Sequence, residues 1–290
     1  MEAKLAVKLI LIEGIPGSGK STFARKIAEW HSNRSMAVNL YIEGQSHPAD
    51  LGWNACVPIE KYAGILQRYK PLQAEIRNNT VFEGDIAIVA YTLIKTDNRN
   101  FYTELESYEV YDGRVPDGLF FKLHYRRWKS FAEEAKRKDE LNIFECAFLQ
   151  NHVNELLFWR NADEGVIIEH HNRLIDSVKC LSPALIYLSQ PNTRETIERI
   201  ARERISPKTG DWIDHCISYC ENSPFGKRHN TKGFDGAIEF FVIRKQIELK
   251  ILSQLSIPHV IIENPDYDWD YVWARIKAYL LELEGRVFSS

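Results

Sequence analysis

The sequence has no hydrophobic run long enough to cross a bilayer, no Cys-x-x-Cys pair and no excess of charge of either sign. Each absence removes a class of protein. The apolar run near the start, Leu9 to Ile12, falls far short of the roughly 20 residues that a spanning helix needs. Met1-Glu2-Ala3-Lys4 does not read as a signal peptide, so neither a membrane anchor nor export is expected. The five cysteines (Cys56, Cys146, Cys180, Cys216 and Cys220) are odd in number and scattered, which argues against a disulfide framework or a zinc ribbon and for a reducing cytoplasm. Lys and Arg number 37 against 40 Asp and Glu, a formal net charge of -3, so there is no global attraction for nucleic acid and any anion site must be local. Internal repeats, low-complexity tracts and an interdomain linker are also missing. What remains is 290 residues, 44% apolar and 27% charged, the usage of an ordinary globular chain.

Hydrophobic periodicity predicts strands alternating with helices. Leu5 to Ile12 reads as a buried strand running into Glu13-Gly14, and Phe23, Ile27 and Trp30 repeat at helical spacing behind it. Further strands are predicted over 37–43, 142–149, 183–188 and 258–263, the second of them an apolar run interrupted by Glu145. Helices are predicted over 58–77, 119–138, 151–159, 166–180, from the cap Asn192-Thr193 to about Ile205, and over 234–255 and 269–283. This alternation implies an α/β fold whose parallel sheet carries helices on both faces. The mixed stretch 78–128 reads as an insertion and the polar stretch 206–233 as a loop or lid, within one domain spanning 1–290.

Gly14-Ile15-Pro16-Gly17-Ser18-Gly19-Lys20-Ser21 fits GxxxxGK[ST] at every defined position and lies between a predicted strand and a predicted helix. This P-loop pattern is chemistry for phosphate. Glycines let successive backbone N–H groups turn inward, and the helix start adds partial positive charge. Gly14, Gly17, Ser18, Gly19, Lys20, Ser21 and Thr22 form the candidate ATP-binding set, Lys20 reaching the terminal phosphates and Ser21 completing a Mg2+ shell. The nearest guanine-reading segment, Thr231-Lys232-Gly233-Phe234-Asp235, has one residue too many, which weakens a GTPase reading. A motor-type ATPase would show a strand ending in Asp or Asp-Glu, and Phe144-Glu145 only approaches it. Arg199 and Arg202 lie three apart on one helical face, with Arg204 leading into the polar loop; pairs Glu195–Arg199 and Glu198–Arg202 are the alternative use of this helix. Gln150 and Asn151 follow the Glu145 strand, where each is placed for a polar ligand or, for Asn151, for a helix cap.

With these residues the chain resembles the P-loop kinases of nucleosides and nucleotides, the thymidylate kinase and deoxynucleoside kinase group. Glu43, followed by Pro48 and Trp53, looks like the family's acceptor-side carboxylate. Glu145-Cys146-Ala147 stands where the family has Asp-Arg or Glu-Arg-Ser, so the Glu matches and the Arg and Ser do not. The resemblance implies a three-layer α/β/α fold, a five-stranded parallel sheet of order 2-3-1-4-5 and an Arg-rich lid. It further implies transfer of the γ-phosphoryl of ATP, with Mg2+, to a small hydroxyl- or phosphate-bearing acceptor, nucleoside-like or an antibiotic or other metabolite. Lys20, Glu43, Glu145, Arg199, Arg202 and Arg204 are then the candidate catalytic residues, and Ser21 and Glu145 the candidate metal ligands. Tyr91, Tyr102, Tyr108, Tyr111, Arg126, Arg127 and Trp128 of the insertion are candidates for an acceptor wall. A homodimer is compatible with this reading; nucleic acid and membrane partners are not expected. The rival readings are an ATP-sensing regulatory module without phosphotransfer and an ATPase that depends on a partner protein.

Overall fold

The structure is a computed structural model and describes residues 7–206 and 210–285. In chain order, β1 (Leu9–Gly14), α1 (Lys20–Ser32) and β2 (Ala37–Tyr41) open the fold. They are followed by β3 (Ala55–Pro58), α2 (Ile59–Arg68), α3 (Gln73–Asn78), β4 (Thr80–Glu83), β5 (Ile86–Val89) and α4 (Arg99–Glu106). Helix α5 (Asp117–Ala135) then leads to β6 (Glu140–Glu145), α6 (Gln150–Val153), α7 (Glu164–Val178), β7 (Ala184–Ser189) and α8 (Thr193–Glu203). The chain closes with α9 (Trp212–Asn222), α10 (Pro224–His229), α11 (Gly233–Gln254), β8 (His259–Glu263) and α12 (Trp269–Gly285). The described residues divide into two compact units, one made of 7–43 with 128–206 and 210–285 and the other of Gly44–Arg127.

The first unit carries a five-stranded parallel sheet of order β2-β6-β1-β7-β8. The 2-3-1-4-5 order, read over consecutive strands of the chain, therefore becomes 2-6-1-7-8, because β3, β4 and β5 leave to form a sheet of their own. Every residue of β1 and of β7 is buried, as expected of central parallel strands covered on both faces. Ile10, Ile12, Ile186 and Leu188 point to one face, where Phe23 and Ile27 of α1 and Ile276 and Leu280 of α12 close a core. The other face of β7 presents Tyr187, whose hydroxyl donates to Glu248 of α11 at 2.6 Å. Trp128, fully buried, packs on Phe144 and Phe148 and so belongs to this unit's core.

Several boundaries move for identifiable reasons. Strand β6 ends at Glu145 and is not interrupted by it: Cys146 sits at φ 66, a left-handed conformation that stops an extended chain. Helix 58–77 is split into α2 and α3 by a 3-10 turn over Lys70–Leu72 that contains Pro71, which has no N–H to continue an α-helix. The polar stretch 206–233 contains α9 and α10, α10 opened by a Ser223 side chain that accepts from Gly226 N; residues 207–209 of the expected lid and the strand start at Leu5-Ala6 lie outside the described residues. Asn192 does cap α8, accepting from Glu195 N at 3.1 Å. Among the described residues, no helix is long and apolar enough to cross a membrane.

The second unit has a three-stranded antiparallel sheet of order β3-β5-β4. Its core joins Val57, Ile65, Ile76, Val89, Phe101 and Leu105. It starts at Gly44 and ends at Arg127, so it takes in the 58–77 region as well as the predicted insertion 78–128 except Trp128.

Candidate functional site

The loop after β1 is shaped by three glycines at positive φ: Gly14 at 141, Gly17 at 80 and Gly19 at 94. Two are also required by close approach. A Cβ on Gly14 would lie 2.3 Å from the Leu188 carbonyl oxygen, and one on Gly17 would lie 2.4 Å from Ile200 Cγ1. Helix α1 starts directly behind the loop with no side-chain cap and no acidic residue in its first turn. Its first N–H groups are therefore left for an anion, with the partial positive end of the helix behind them. The Ser18 hydroxyl, 2% exposed, has no hydrogen-bond partner. Lys20 is buried and its Nζ donates to the Ile15 carbonyl at 3.1 Å, so the amine lies along its own loop.

From Ser21 a line of hydrogen bonds runs across the ends of three strands. Ser21 Oγ donates to Glu145 Oε1 at 2.8 Å, and Glu145 Oε2 accepts from the backbone N–H of Glu43 at 3.0 Å. Gln150 Nε2 in turn donates to Glu43 Oε1 at 2.6 Å. Glu145, at 3% exposed, is thus a buried carboxylate satisfied on both oxygens, as a buried charge requires. The Cys146 thiol also points at Glu145 Oε1, 3.3 Å away, and burial pushes its pKa well up. Glu43, Glu145 and Cys146 bring their ligand atoms within 4.8 Å of one another. Two hard oxygen donors, Ser21 and Glu145, suit Mg2+, whereas a protonated thiol does not.

The positive charge comes from α8. Arg199 Nη2 donates to the Gly17 carbonyl at 3.0 Å, its Nη1 to Glu203 at 3.0 Å, and its guanidinium lies 4.2 Å over the Tyr267 ring. The helix pairs are Arg199–Glu203 and Arg194–Glu198, and not Glu195–Arg199 and Glu198–Arg202, the pairs of the alternative reading. Arg204 lies over Trp212, 5.4 Å from its ring centre. A cavity of about 680 Å³ opens beside the loop. Lys20, Ser21, Glu43, Glu145, Arg199 and Arg204 all line it. Arg202 does not line it and is exposed.

Part of the cavity wall lies in the expected lid stretch, 206–233, and part in α11, to which no sequence motif points. Trp212 and Tyr219 of α9 and Phe240, Phe241 and Arg244 of α11 form it. One signal was legible: a charged residue at position 244 continues the apolar face that Phe240 and Phe241 begin one turn earlier. Within the second unit, Tyr91 donates to Glu109 at 2.7 Å, Tyr102 to the Ile94 carbonyl at 2.6 Å and Tyr111 to Asp50 at 2.7 Å. Arg127 stands 3.8 Å from Glu83 and Lys61 lies over Tyr108.

Glu13, the fully buried residue before the Gly14 that ends β1, carries no motif of its own in the sequence. Its Oε1 accepts from Phe148 N at 2.7 Å and its Oε2 from Gln150 N at 3.3 Å, so it holds the turn that carries Gln150. Burial pushes its carboxyl pKa up to about 8, against the lowering effect of the Leu149 and Phe148 N–H groups. An unfolded carboxyl titrates near 4.5, so between that pH and about 8 the native state holds the extra proton and stability falls as pH rises. Glu109 in the second unit behaves alike, also pushed up to about 8 by burial. His31 and His171 act on the acid side: burial lowers each from 6.5 to about 4. The unfolded chain then takes up protons first, and stability falls as pH drops through that window. Melting temperature is therefore expected to decline from pH 6.5 to pH 8, the interval set by these groups, with a shallower decline in Glu13→Gln. Equal slopes in wild type and variant would contradict this.

A scan against protein-family models finds no match, and a search of curated proteins finds none.

Proposed function

We propose that this chain is a P-loop phosphotransferase with the three-layer fold and Arg-rich lid of that class. More specifically, it is a kinase that moves the γ-phosphoryl of ATP to a small hydroxyl- or phosphate-bearing acceptor. The observation that carries this reading is the line Ser21–Glu145–Glu43–Gln150, which starts at the Gly-rich loop and ends in the cavity. A binding module needs the loop alone; a transferase also needs a carboxylate facing the acceptor side.

The nucleotide phosphates would be held by the N–H groups of 17–22 and by Lys20, where glycine geometry, the bare helix start and the unpartnered Ser18 hydroxyl fit an anion. Mg2+, when bound at Ser21 and Glu145, supplies charge neutralisation to those phosphates. Glu43 would orient the acceptor oxygen and take its proton, with Gln150 fixing the carboxylate and Glu13 fixing Gln150. Arg199 and Arg204 would exchange their present contacts, Gly17 and Trp212, for the charge that develops on the transferring group. Trp212, Phe240 and Phe241 would exclude water from it.

Incubation of the protein with ATP, Mg2+ and a metabolite extract should yield a compound heavier by one phosphate, read by mass spectrometry. ADP release without any phosphorylated compound overturns the transferase reading in favour of an ATPase, and ATP binding without turnover favours a sensor.

A further inference from the structure

A buried guanidinium is expected to be fully hydrogen-bonded, because leaving its N–H groups without acceptors costs stability. Arg244 breaks that rule. It is 1% exposed, lines the cavity, and its Nε and Nη2 have no hydrogen-bond partner. Its ion pair is with Glu248 one turn later, Nε to Oε1 at 3.0 Å, an attraction between charges without hydrogen-bond alignment. Glu248 Oε1 is likewise unpartnered, while Oε2 is held by the Tyr187 hydroxyl. Two of the three guanidinium nitrogens of Arg244, Nε and Nη2, are therefore left without a hydrogen bond in a residue that lines the cavity.

What surrounds that donor defines the other half of the ligand. Phe241 lies 5.3 Å from the Arg244 guanidinium, and Trp212 is stacked on Phe241 at 6.0 Å with 22° between the rings. Phe240 and Tyr219 continue the wall. Aromatic walls favour flat apolar bodies, and a guanidinium favours a planar acid or a phosphate at one end.

We infer that the cavity takes an aryl compound bearing one acidic group, carboxylate or phosphate monoester, with the ring against Trp212, Phe240 and Phe241 and the acid on Arg244. This deepens the proposed kinase reading by naming the acceptor class, and it rests on that reading only for the ligand's being an acceptor; the anion site itself stands on the cavity. The acid completes the hydrogen bonds of Arg244, and its attraction competes with that of Glu248.

Calorimetric titration of the full chain with benzoate, phenyl phosphate and benzyl alcohol tests this. At least one of the two anions should bind about tenfold or more tightly than the neutral alcohol, the size expected for one charge-assisted bond. The preferred anion separates a carboxylate site from a phosphate site. Arg244→Gln should abolish the preference, and Glu248→Gln, which keeps an acceptor for Tyr187 but removes the competing charge, should strengthen anion binding several-fold. Equal binding of the alcohol and the anions, no binding of either anion, or a preference that survives Arg244→Gln overturns the site. If Arg244→Gln does not fold, Glu248→Gln decides: unchanged or weaker anion binding overturns it. Anion binding with no phosphate transferred to hydroxybenzoates in the presence of ATP leaves the site standing and counts against the kinase reading.

Discussion

Lys20→Ala should abolish phosphoryl transfer, lowering turnover by at least about 10²–10³-fold, the cost of removing one preorganised charge from a site that stabilises developing negative charge. The fold should survive. Lys20 contributes one hydrogen bond to the resting structure, to the Ile15 carbonyl at 3.1 Å, worth about 1 kcal/mol net. Parallel measurement of ADP and phosphorylated product, with a thermal melt of the same preparation, separates the two effects. Turnover equal to wild type removes Lys20 from the site, and a collapsed melt assigns it a structural role instead.

Glu145→Gln should lower turnover by about 10²–10⁴-fold, the range for losing a positioned acid-base or metal-holding group, while ATP affinity changes by only a few-fold. Geometry sharpens this expectation. Both carboxylate oxygens accept, one from Ser21 Oγ and one from Glu43 N. An amide offers one acceptor oxygen and one donor NH2, so either the Glu43 N–H meets a donor or the Ser21 hydroxyl must turn from donor to acceptor. Either Ser21 loses its orientation or the backbone at Glu43 shifts. Kinetics of product formation together with a nucleotide-binding titration check this split; wild-type turnover in the variant would remove Glu145 from the mechanism.

The parallel sheet was readable because its strands are short apolar runs punctuated by glycine, proline and caps, and because Gly14 to Ser21 signals a strand-loop-helix junction at a fixed spacing. Asn192 capping α8 was legible for the same reason: caps are local chemistry. Glu145 was recognised by its misfit among apolar neighbours, yet its position at the strand end depends on the left-handed turn at Cys146, which no propensity announces for cysteine. The wall of the cavity was hidden because Trp212, Tyr219 and Arg244 gather from α9 and α11 only after the fold forms. In the insertion, the hydroxyls of Tyr91, Tyr102 and Tyr111 make hydrogen bonds within their own unit, contacts that depend on tertiary packing and leave no mark in composition. Arg202 shows the limit of periodicity: spacing put it on the same face as Arg199, whereas the last turn of α8 leaves it in solvent.

Glu43 and Glu145 are 102 positions apart in the chain, and β2 meets β6 across a similar gap. Closing so long a loop costs entropy that grows with the logarithm of its length. The second unit changes that cost. Arg127 Nη2, at its last residue, reaches the His47 carbonyl near its start at 3.5 Å, so its two ends are held together once its own core has formed. A chain that folds this unit first has shortened the path between β2 and β6 to roughly 20 residues, 41–47 and 127–140. The pairing that brings Glu43 and Glu145 together then closes a shorter loop, at a lower cost in entropy.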